Sequence, residues 1–229
     1  MRRGTGFGIC AGILLCLYLS SGCMQSALRV ERPVRSVAVI PFFIVTSSGG
    51  EKAFVRDPIS GRSFVAGEIA PNAQGQLTNL LYQKLAAFPE LEIAPLKEVE
   101  EAARTGNFQS DPINSGRKVG AVLGVEGVVL GWGFRYEERI GNSVSVERPA
   151  SVSFVVHLVN VEDGSIRWTG RFQETQQPLS ENILKLGSFL RRGGLWLKVE
   201  NLASVGMDEI LVSFPAIRAV EPAETYEGA

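Results

Sequence analysis

Histidine is nearly absent from this chain, which has 229 residues and a single imidazole, His157. A histidine base or metal ligand can therefore only be that residue. It falls in an apolar stretch, on the strand face opposite Val156, and reads as a partly exposed strand histidine with no visible catalytic partner. Cysteine is scarce as well. Of the three present, Cys10 and Cys16 lie inside an apolar N-terminal stretch and only Cys23 lies beyond it. Once that stretch is cleaved, neither an internal disulfide nor a cysteine-ligated metal has residues to form from. There is no excess of one charge: 23 basic and 24 acidic residues offer nucleic acid no electrostatic footprint and make no acidic solvating tail. No GxxxxGK[ST], HExxH, GxSxG or CxxC occurs, so phosphate, zinc and acyl-transfer signatures all fail. Gly124, Gly127, Gly131 and Gly133 lead into a strand, whereas a phosphate loop must lead into a helix. Asp57, Glu68, Glu92, Glu98, Glu100 and Glu101 are carboxylates with no spacing that pairs two of them as glycoside hydrolysis requires. The expectation is a protein without cofactor, metal or catalysis.

What is present begins with a secretion signal. Arg2 and Arg3 precede an uncharged run from Phe7 to Leu19, followed by the small residues Ser20, Ser21 and Gly22, which is the order of a cleavable signal. The run falls short of the roughly 20 apolar residues that span a bilayer. Leu19-Ser20-Ser21-Gly22-Cys23 resembles the lipobox of bacterial lipoproteins, with Ser20 where the group usually has Leu. The resemblance implies lipid on Cys23 and anchoring by several acyl chains, each CH2 contributing about 0.8 kcal/mol. Met24 stands where such lipoproteins carry an inner-membrane retention Asp, which implies the periplasmic face of the outer membrane. Residues 1–22 are thus expected to be signal, 23–35 a tether, 36–214 one folded domain and 215–229 a flexible tail. With 45% apolar and 21% charged residues, the body is ordinary globular material.

Along that body, Val37-Ala38-Val39-Ile40-Pro41-Phe42-Phe43 predicts a central strand buried on both faces, loosened where Pro41 lacks an N–H. Residues 46 to 69 read as a long loop or small hairpin, turning at Asp57-Pro58-Ile59-Ser60-Gly61 between Phe54-Val55 and Phe64-Val65. Leu77, Leu80, Leu81, Leu85 and Phe88 give a helix after Pro71. A short strand follows at 91–96, a helix at 97–104, and another from Asn114 to Leu123 with Val119, Val122 and Leu123 inward. Three antiparallel strands come next. In the first, Val128, Leu130, Trp132, Phe134 and Tyr136 alternate with Val129, Gly131, Gly133, Arg135 and Glu137, predicting unequal faces. The second has Val152, Phe154, Val156 and Leu158 on one side. The third sets Ile166, Trp168 and Phe172 against Arg167, Thr169 and Arg171, after an Asp163-Gly164 hairpin turn. Ser180 is a candidate cap for a helix over 181–190. A last amphipathic helix spans about 198–214. The fold class is α/β: a mixed sheet with an antiparallel meander and packed helices.

The stretch Ile183–Leu197 mixes aliphatics with Phe189, Arg191, Arg192 and Trp196. Such a mix suits a membrane surface or a partner, or else a connection packed on the sheet with its arginines in water. Those four residues are the candidate interaction residues.

The order of elements, with VAVIPFF at 37–43, GAVLGVEGVVLG at 120–131 and VVHLVNVEDGSIRW at 155–168, resembles the periplasmic lipoproteins grouped with the curli secretion protein CsgG, the penicillin-binding-protein activator LpoB and the TolB N-terminal domain. Asp163-Gly164 stands where that group has Thr-Gly. The resemblance implies a TolB N-terminal-like fold and a non-enzymatic envelope protein, docking on another protein through the sheet edge or the 183–197 segment, with homo-oligomers as one form. The other reading is an outer-membrane secretion component built as a ring, although no two matched spans of about 9–11 alternating residues stand outside the core strands.

Overall fold

A computed structural model describes residues 33–46, 53–142, 145–176 and 196–216. These belong to one compact unit that begins at Pro33. The signal, Cys23, the 181–190 helix with Phe189, Arg191 and Arg192, and residues 217–229 lie outside the described residues.

The central strand is broken in two by its proline. The first part, β1 (Ser36–Val39), runs parallel to both β5 (Glu92–Ile93) and β6 (Gly127–Glu137), with Val37 opposite Ile93 and Gly127. At Pro41 the ladder lapses. The next amide, Phe42 N, donates instead to Thr78 Oγ1 at 2.9 Å, and β2 (Phe43–Ile44) then rejoins β6 opposite Trp132 and Gly133. The meander is as expected: β9 (Ser151–Asn160) lies antiparallel between β6 and β10 (Ile166–Thr175), giving the order β10-β9-β6-β1-β5. A small antiparallel pair, β7 (Ile140–Gly141) and β8 (Val146–Arg148), interrupts the path from β6 to β9.

Both faces of this sheet are covered. On one lie α1 (Ala73–Ala86) and α4 (Val199–Leu211), whose Leu77, Leu81, Leu85, Leu202, Met207 and Ile210 pack on Val152, Phe154, Val156 and Leu158. On the other lie α2 (Leu96–Ala103), α3 (Pro112–Leu123) and a hairpin of β3 (Phe54–Arg56) with β4 (Ser63–Val65), covering Val128, Leu130, Trp132, Phe134, Val155 and Val159. The unequal faces read for β6 therefore differ in size and not in polarity. Gly131 faces the ring of Phe42, and a Cβ there would sit 2.5 Å from it. Even Arg135 is only 5% exposed.

Four further expectations need correction. Val122 is 77% exposed: α3 presents Gly116, Val119 and Gly120 to the sheet, and at about 100° per residue Val122 falls roughly a quarter-turn to the side. A register shift between Ile166 and Trp168 breaks the alternation of β10, leaving Ile166 44% exposed. The strand expected at 91–96 is only Glu92–Ile93, because Pro95 and Leu96 open α2. The body also reaches past 36–214, since Val34 is fully buried and its N–H donates to Pro215 O at 2.8 Å, with Ala216 paired alongside.

Candidate functional site

The polar centre of the molecule is built by the 54–65 hairpin, whose tip the sequence specifies well. The Asp57 carboxylate accepts from Ile59 N at 3.2 Å and Ser60 N at 2.9 Å, and from the Ser60 hydroxyl. Gly61 takes φ +68°, which a side chain would disfavour, and donates to Asp57 O at 2.9 Å. These bonds aim Asp57 into the protein. There its Oδ2 meets His157 Nε2 at 2.9 Å, while His157 Nδ1 meets Thr169 Oγ1 on β10 at 2.9 Å. Trp132 packs edge-on against the imidazole with centroids 5.9 Å apart.

His157 is thus not the partly exposed strand residue expected from the sequence. It and Asp57 both have side chains 0% exposed. Burial alone would push the Asp57 carboxyl up, but hydrogen bonds from His157 and Ser60 and the charge of His157 outweigh it and hold the pKa at about 2. An ionised carboxylate can only accept, so Nε2 carries the proton between the two groups. The Thr169–His157–Asp57 line has the order of a nucleophile, base and orienting acid. The ring is buried and both its nitrogens are committed, so the relay fastens the hairpin to β9 and β10.

A second polar cluster lies under the open end of the hairpin. Arg135 donates from Nη1 to Val65 O at 3.2 Å, and Glu137 accepts from Glu68 N at 3.1 Å. Burial lowers the Arg135 pKa and the charge of Glu137 opposes that shift. Gly67 fits between these side chains, where a Cβ would lie 2.3 Å from Glu137 Oε1. Among the described residues no group of three metal-ligating side chains occurs.

Of the four interaction candidates only Trp196 is described. Its carbonyl accepts from Arg139 Nη1, and Leu197 N donates to Gln176 Oε1 at 3.0 Å.

No family model matches the chain, and no curated protein matches it. Solved structures do. The PelC dodecamer from Paraburkholderia phytofirmans is similar at 14% identity and TM-score 0.46, over 82% of this chain and 91% of that one. Lipoprotein GNA1162 from Neisseria meningitidis is similar at 16% identity and TM-score 0.43, over 69% and 92%. The LpoB C-terminal domain from Escherichia coli follows at 13% identity and TM-score 0.39, over 63% and 84%. The likeness is one of architecture.

Neither Asp57 nor Arg135 stood out in the sequence as a buried group. The available signal was a lone histidine inside the otherwise apolar run Phe154-Val155-Val156-His157-Leu158-Val159, since a buried imidazole requires a partner.

Proposed function

We propose that this protein is an envelope lipoprotein, anchored by lipid on Cys23 at the periplasmic face of the outer membrane, whose body acts by binding a protein partner and not by catalysis. The observation that carries the reading is the position of the first core residue among the described residues. Val34 is fully buried, so the chain from the lipobox-like Cys23 to the body is just long enough for a tether, with a maximum reach of about 3.3–3.6 Å per residue. The sealed relay supports the non-catalytic part. Its histidine, the only one in the chain, serves the fold.

The test is mass spectrometry of the mature N-terminus from membranes, wild type beside Cys23→Ala. Acyl mass on Cys23, together with release of the variant from membranes, is the expected result. An unmodified N-terminus in the wild type would overturn the anchor. Sizing the extracted protein in mild detergent completes it: a monomer or small oligomer is expected, and a large ring would point to a secretion component instead.

A further inference from the structure

The hairpin carries charge that its own carboxylate does not neutralise. Arg56 and Arg62 bracket Asp57 and are exposed, yet Asp57 is turned inward onto His157 and Ser60, and among the described residues neither arginine is in an ion pair. The relay adds a third cation from far along the chain. Thr169 is exposed, and two residues on, on the same face of β10, stands Arg171, exposed and likewise outside any ion pair. Glu174 lies on the opposite face of that strand, with Phe172 and α4. An apolar anchor sits among these cations. Val55 and Phe64 turn inward, which leaves Phe54 on the outer face of the hairpin with Arg56, and Phe54 is 81% exposed.

Two guanidinium groups and an aromatic ring thus stand on the hairpin, and a third guanidinium on the strand that the relay ties to it, on a chain whose formal net charge is −1. We propose that this surface docks an acidic, extended segment of a protein partner, which deepens the partner-binding reading above and rests on it. Planar guanidinium forks match carboxylates two bonds at a time. A single exposed aromatic beside them is the composition of a protein hot spot. β10 is the last strand of the described sheet, so a segment in strand conformation can lie beside Thr169, Arg171 and Gln173. The Asp57–His157–Thr169 relay keeps the two halves of the surface in register.

The test uses the full lipidated protein in nanodiscs of neutral lipid and a fluorescent peptide in which Glu alternates with Val around a central Phe. Saturable, salt-sensitive binding is expected, weakened about tenfold or more in Arg56→Glu/Arg62→Glu/Arg171→Glu and weakened in Phe54→Ser. All four side chains are exposed, so the variants should unfold at the wild-type denaturant midpoint. Equal affinity of the triple variant, or equal binding of the same peptide with Lys for Glu, would overturn the proposal. So would nanodiscs of anionic lipid that displace the peptide through the same three arginines, because the surface would then belong to a bilayer. Membrane attachment is read separately: wild-type protein that attaches but binds no peptide sinks this surface and leaves the lipoprotein reading intact, whereas loss of acyl mass on Cys23 sinks the latter alone.

Discussion

His157 and Asp57 lie 100 residues apart, and neither position betrays the other. The strand pattern shows that His157 faces away from Val156, but whether that face meets water depends on where a distant hairpin folds. The turn signal at Asp57 was legible and correct; its second function was not, because an aspartate that closes a turn and one that also reaches into a core have the same local sequence. Linkage makes the difference measurable. The Asp57 pKa falls from 3.8 in the unfolded chain to about 2 in the fold, so its stabilising effect is complete above the unfolded value and is lost as pH drops through the folded one. Each pKa unit corresponds to about 1.4 kcal/mol, so roughly 2 kcal/mol should disappear between pH 4 and 2. Urea unfolding across that window should show the loss in wild type beyond that in Asp57→Asn, where this part of the slope is absent. His157→Leu leaves the carboxylate buried without its partner and should cost about 3–5 kcal/mol at neutral pH.

Elements were more legible than their surroundings. The last helix was read correctly, because Val199, Leu202, Ala203, Met207, Ile210 and Leu211 repeat at helical spacing and all are buried. The β6 alternation was read as two unequal faces, whereas the small residues mark where a ring must fit. Gly206 shows the same logic on α4: a Cβ there would meet the Phe172 ring at 2.4 Å. Gly206→Ala should therefore destabilise by about 1–3 kcal/mol despite its better helix propensity, and the denaturation midpoint is the readout. The hairpin is tied to the sheet by the relay, by Phe64 stacked on Phe134 at 4.3 Å and by the Arg135 bond to Val65. Native-state hydrogen exchange should find the amides of Asp57, Gly61 and Ala66 exchanging faster in His157→Leu than the global unfolding rate, while those of β6 follow global stability. Uniform acceleration would mean that the hairpin is no separate unit.

At the scale of the molecule, the α/β class and the meander were legible, because periodicity reports layers. The true ends of the body were not, since Val34 and Ala216 pair through the fold and their neighbours in sequence look like linker. The outer-membrane address proposed from Met24 is testable on its own. Met24→Asp should move the protein from outer- to inner-membrane fractions in a density gradient, and unchanged fractionation would sink the outer-membrane assignment. On the anchoring proposed above, the place where a tether would join has a mechanical meaning. It feeds β1, which lies between β5 and β6 and is parallel to both. Were the envelope to tug on the lipid, the pull would run along β1 and strain its hydrogen bonds on both sides together, so that they fail in shear. A tether joined to an edge strand such as β10 would unzip bond by bond under far smaller force. On the anchoring proposed above, the body would be mounted on an interior strand, and a partner pulling on the opposite end would transmit tension to the membrane without first unzipping an edge.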